Sequence, residues 1–156
     1  MLVLVAAMFL QASSPPPPPS PPESHCFVRE QTNGHVFVRY LGDRACVDFA
    51  PARTISGVWI DQFEGSSFYE GATSLSDIAG RKHTTWLTLD AQTELPAGFV
   101  RKRPTARAYR LTFVGRNARD MDRLPLEGYG HFGVSPGLVL VDRLTVWEDL
   151  GPAPGR

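Results

Sequence analysis

Carboxylates, hydroxyls and aromatic rings crowd one stretch of this 156-residue chain, Asp61-Gln62-Phe63-Glu64-Gly65-Ser66-Ser67-Phe68-Tyr69-Glu70-Gly71. A strand ending in a glycine-punctuated loop would present them together, and loops held by a rigid sheet are where binding groups concentrate. Glu64 is the candidate base or ligand-binding carboxylate, and Tyr69 a stacking or hydrogen-bonding partner. The plainer reading is a bulged strand end followed by a solvated loop. A second cluster is Gly128-Tyr129-Gly130-His131-Phe132-Gly133. Its three alternating glycines indicate positive φ or close backbone approach, hence a tight connection that presents Tyr129 and His131. His131 could serve a substrate or satisfy a backbone carbonyl inside the turn. Arg116, just past Gly115 at the end of the preceding strand, would complete an anion site with it.

None of this assembles a recognised catalytic motif. The chain has no GxSxG, no HExxH and no phosphate-binding glycine loop. Cys26 and Cys46 are the only cysteines, and an even pair in an exported chain predicts a disulfide. With His25 they could hold a metal, but no CxxC or HxxxH spacing supports that, so neither metal nor cofactor is expected. Arg101-Lys102-Arg103, Arg107 and Arg110 form a basic stretch of the kind that meets nucleic acid. The aromatics that could stack bases lie at core parity instead, and export removes the chain from most nucleic acid, so none is expected as partner. An envelope component or a protein partner fits better.

Export is read from the amino-terminal end. An apolar run from Met1 to Leu10 is followed by small residues, and it is shorter than the roughly 20 residues a spanning helix needs. Residues 1–14 are therefore expected to be a signal peptide, which makes the mature chain periplasmic or secreted with no transmembrane span. Left uncleaved, the same segment would anchor the chain to the membrane. Residues 15–25 form a proline-rich linker, extended because proline fixes φ and donates no backbone hydrogen bond. Residues 26–150 suit a single β-domain, and residues 151–156 a fraying tail. Formal charge sums to zero, which argues against a polyanion-binding protein as a whole. Acids dominate from Ile55 to Val100 and bases from Arg101 to Arg123, which predicts a dipolar surface.

The elements that must hold these residues are strands. Tyr109, Leu111 and Phe113 alternate with Arg110, Thr112 and Val114, while Leu138, Leu140, Leu144 and Val146 share the parity of a second strand. Val139 and Val141 make the first half of that strand apolar on both faces, as for a strand covered on both sides. Thr54 to Phe63 is a third, with Ile55, Trp59 and Phe63 on one face and Val58 and Ile60 on the other, bent at Gly57 and Gly65. His83 to Leu89 is a fourth. Asn33-Gly34 is the strongest hairpin turn, joining Cys26–Gln31 to His35–Leu41. A short strand is expected at Ala45 to Phe49, and one or two helical turns at Thr73 to Ala79, capped by Thr73 or Ser74.

Five to seven strands of this kind give an all-β domain, most simply a small, partly open barrel of the oligonucleotide/oligosaccharide-binding (OB) type, with a β-sandwich as alternative. In a meander of three successive strands Cys26 and Cys46 would stand two strand spacings apart, about 9.6 Å and too far for a disulfide. The bond therefore requires Cys26 to precede the sheet and fold over. The segments Tyr109 to Arg116, Gly128 to Gly133 and Val139 to Arg143 together resemble small exported bacterial β-rich proteins without a defined function, and that resemblance implies no activity. The expected function is a non-catalytic β-domain that binds an envelope component or a protein partner. The alternative is a small envelope hydrolase using Glu64 with His131, which requires the two to converge.

Overall fold

Residues 25–81, 84–101 and 105–154 are described in a computed structural model. The expected signal peptide and all but the last residue of the linker lie outside these residues, as do Lys102 and Arg103 of the basic stretch. The hairpin signal is realised directly: β1 (Phe27–Thr32) and β2 (His35–Tyr40) pair antiparallel as a separate two-stranded sheet. Asn33 (φ 51°) and Gly34 (φ 80°) form the turn, both in the left-handed region that Asn and Gly tolerate best.

Five further strands close a barrel: β3 (Arg53–Gln62), β4 (Gly65–Glu70), β5 (Thr85–Thr88), β6 (Arg107–Asn117) and β7 (Gly137–Pro152). Around the barrel the order is β3-β4-β5-β7-β6, with β6 returning to β3. β5 and β7 run parallel and the other neighbours antiparallel. The fold is the small β-barrel expected from strand spacing, and a single sheet closed on itself leaves no place for a sandwich.

Ile55, Trp59, Phe68, Tyr109, Leu111 and Phe113 point inward and are almost wholly buried. Outside β3, Val58 and Ile60 are covered by Ala72 and Ile78 of the β4–β5 connection. Outside β7, Leu138 is covered by Ala118 and Tyr129. These two covers explain why β3 and the first half of β7 are apolar on both faces. The expected parity along β7 breaks, however. Val139 and Val141 point inward, and so does Leu144, because the register with β6 skips Asp142 and Thr145. Each extra residue flips the side-chain alternation and tightens the curl that closes the barrel.

Three local expectations are corrected. Ala45 to Phe49 is no strand: α1 (Asp43–Cys46) is a single helical turn, and Phe49 forms only an isolated bridge to Ala118. The turn at Ser76–Ile78 is helical but is capped in reverse, since the Asp77 carboxylate accepts from the Thr73 and Ser74 backbone N–H groups and the Thr73 hydroxyl. Those bonds hold the Asp77 carboxyl down at about 2. β7 continues through Gly151 and Pro152, beside Ala108 and Arg107, so the end of the chain is tied further than residue 150.

Candidate functional site

β4 and β5 share one ladder pair, Phe68 opposite Thr85. Continued pairing would set Ser66 opposite Leu87. There the Ser66 hydroxyl donates to the Leu87 carbonyl at 2.7 Å, a side chain standing where a backbone bond would be. Beyond it the strands part, and a cleft of about 560 Å³ opens between the β3–β4 turn, β5, Arg101 and His131. The volume lies within the range of small-ligand sites, about 300–1,000 Å³. Barrels of the OB type use the face of their second and third strands, flanked by the loops joining strands one to two and four to five. Here those parts are β4 and β5, the Phe63-Glu64 turn and the connection that carries His131.

Glu64 and His131 meet at this cleft, with His131 Nε2 3.5 Å from Glu64 Oε2. Both loops hold a non-glycine residue at positive φ, Glu64 at 54° and Phe132 at 56°. Such conformations cost of order 1–3 kcal/mol each and concentrate at sites where geometry serves a purpose. Gly130 (φ 72°) brings the second loop over β5: a Cβ there would lie 2.2 Å from the Trp86 ring. Only glycine permits that approach.

The floor is rigid. Arg101 forms a two-pronged ion pair with Asp61, which is 4% exposed, and its guanidinium lies 5.0 Å from the centre of a Trp59 ring. Ser66 Oγ accepts from Trp59 Nε1 at 2.8 Å while donating to Leu87. Its proton is committed, so this serine is a strut and has no free O–H to offer as a nucleophile.

The other candidates are placed elsewhere. Tyr129 is buried; its hydroxyl donates to the Asp120 carbonyl at 2.9 Å and the Arg123 guanidinium lies 4.4 Å from its ring. Burial pushes its phenol pKa up. It anchors the loop whose tip presents His131. Tyr69 packs on the outer cluster around Val58 and Ile60. Arg116 donates to Asp142 at 2.9 Å, and the charged neighbour of His131 is Glu64. In the basic stretch, Arg101 is engaged by Asp61, Arg107 by Asp149 and Arg110 by Glu148.

Cys26 and Cys46 do come together, because Cys26 precedes β1 and Cys46 ends α1 rather than lying in a third strand. Each sulfur faces the other residue's carbonyl oxygen, at 3.7 Å and 3.6 Å, and the two are not joined. The expected disulfide is thus absent from this arrangement although its two ends are adjacent. Burial pushes the Cys46 thiol up to about 11, and the neighbouring Cys26 thiol adds to the shift. Both residues line a second cavity of about 520 Å³ between the hairpin and the barrel. Among the described residues no cluster of three or more His, Cys, Asp or Glu could hold a metal ion.

Sequence reasoning missed Phe63 and Trp86. Alternation sets Phe63 on the face of Ile55 and Trp59, yet it sits in the turn, fully out of the core. The signal was present in the single residue that separates it from Gly65. Comparison with protein-family models, curated proteins and solved structures finds no match for the chain.

Proposed function

We propose that this chain is an exported, non-catalytic β-domain that binds an envelope component in the cleft between β4 and β5. One observation carries the reading: the two polar residues that meet, Glu64 and His131, do so at a cleft lined also by the exposed ring of Phe63 and the half-buried Trp86, on the barrel face suited to ligands. The apolar leader and proline-rich spacer support the compartment. Cosedimentation of the full chain with isolated cell envelopes tests it, comparing wild type with Phe63→Ala and Glu64→Gln, and with Phe37→Ala on the hairpin as control. Both cleft variants are expected to lose retention while keeping their circular dichroism. Unchanged retention would remove the cleft from the function.

The 3.5 Å approach of Glu64 to His131 also favours a second reading, a hydrolase in which Glu64 orients the imidazole and His131 takes a proton from water. Release of soluble fragments from envelopes would mark it, abolished by Glu64→Gln. Intact envelopes after prolonged incubation would exclude it.

A further inference from the structure

Among its described lining residues the cleft has one guanidinium, Arg101, whose charge is balanced by buried Asp61 through bonds from Nε and Nη2. The carboxylate left over is that of Glu64, half exposed beside His131. A polyanion is held by several phosphate contacts from Lys and Arg, and these groups offer it no uncommitted cation. They suit hydroxyls instead. Glu64 accepts hydrogen bonds, and His131, whose side chain is 37% exposed and lines the same cleft, carries a second ring nitrogen besides the Nε2 that faces Glu64. A carboxylate and an imidazole side by side offer a hydroxyl-rich ligand both an acceptor and a donor.

The apolar half of the site stands beside the polar half. Phe63 and Phe132 are 84% and 74% exposed, the most exposed aromatic side chains among the described residues. They are the chain neighbours of Glu64 and His131, and the rings of His131 and Phe132 lie 3.9 Å apart between centroids. Neither phenylalanine contributes to the core, and a ring left in water at a strained turn gains its contacts only when something covers it. A pyranose matches this juxtaposition, with apolar C–H faces for the rings and a rim of hydroxyls for the carboxylate and the imidazole.

Resting on the binding reading above, we propose that the ligand is an uncharged glycan strand, stacked on Phe63 and hydrogen-bonded through its hydroxyls to Glu64 and His131. Calorimetric titration of the full chain with N-acetylglucosamine hexamer, glucose hexamer and single-stranded oligothymidylate, each at low and high salt, tests it. At least one of the two neutral hexamers is expected to bind with an affinity insensitive to salt and weakened about tenfold or more by Phe63→Ala. Salt-sensitive binding of the oligothymidylate alone would overturn the ligand class while leaving a binding cleft. Failure of both hexamers overturns it too, and the envelope assay then separates the cases: retention that still depends on Phe63 loses only the glycan, and retention that does not loses the binding site as well.

Discussion

At the scale of single residues, the cleft is held by backbone conformations that cost stability, which makes the cost measurable. Glu64 is the second central residue of the β3–β4 turn at φ 54°, a position that turns ordinarily give to Gly or Asn. Glu64→Gly should therefore stabilise the fold by about 0.5 kcal/mol, strain relief outweighing the added freedom of the unfolded chain. The same change should abolish ligand retention. A raised urea midpoint with unchanged slope would show a residue kept for function against stability; a lowered midpoint would show the Glu64–His131 contact to be worth more than the strain. Gly130 is the converse case. Gly130→Ala places a methyl group on the Trp86 ring at positive φ, and should cost about 2 kcal/mol and close the cleft, read as a lower midpoint together with altered tryptophan fluorescence. Glu64 and His131 were both legible in the sequence, because glycine spacing marks where a chain turns tightly and presents what lies between. That they would meet was not legible, since it depends on how far β4 and β5 diverge.

At the scale of elements, the hairpin and the barrel differ in what holds them. β1 and β2 form a sheet of two strands with side chains exposed along nearly its whole length, among them Phe27, Val36, Phe37 and Val38. A two-stranded hairpin alone is marginally stable in water. Its anchor is α1, fixed to the barrel where Asp43 accepts from the Thr88 hydroxyl and Arg44 bridges Asp90 and Asp142. Joining Cys26 to Cys46 would tie the start of β1 to this anchor, closing a separation of 20 residues and adding about 3 kcal/mol in the chain-entropy model. Hydrogen exchange should show amides 27–40 exchanging fast in the reduced protein and slowly after oxidation, with no such difference in Cys26→Ser. Because the Cys46 thiol is held up at about 11, oxidation should be slow at pH 7 and quicken as pH rises. An oxidised protein whose hairpin exchanges no more slowly would show that the bond constrains nothing. Element identity is legible from alternation at β6, and at β3 from Ile55 and Trp59 sharing one face while Val58 and Ile60 share the other. It failed at α1, where Ala45-Cys46-Val47 is apolar enough for a strand but too short to join the sheet. The parity of β7 failed for another cause: the residues skipped in register are fixed by barrel closure and leave no local mark.

At the scale of the whole molecule, the described bases from Arg101 to Arg123 are engaged in ion pairs. The bases of the second half meet acids drawn from elsewhere: Arg101 with Asp61, Arg107 with Asp149, Arg116 with Asp142 and Arg119 with Asp48. Arg53 reaches forward to Glu70 in the same manner. Among the described residues the bases from Arg101 to Arg123 are thereby tied into pairs, most of them with acids distant in sequence, because antiparallel strands set distant segments side by side. The consequence appears in acid. Arg44 holds the Asp90 carboxyl below the ordinary carboxylate range, and its two partners lie at 2.7 Å and 2.6 Å. A carboxyl lowered in the folded state binds its proton more readily unfolded. Its contribution is therefore complete above the unfolded value near 4 and is lost as pH falls through the lower folded one. Arg44→Ala should cost about 2 kcal/mol at pH 7, less than a fully buried pair because Arg44 and Asp90 are 20% and 26% exposed. The gap between wild type and variant in urea midpoint should narrow as pH falls below about 4 and Asp90 protonates in both. A gap that stays constant to pH 2 would assign the stabilisation to packing of the arginine stem against the barrel, and the charge of Asp90 would then have no part in holding α1, and through it the hairpin, in place.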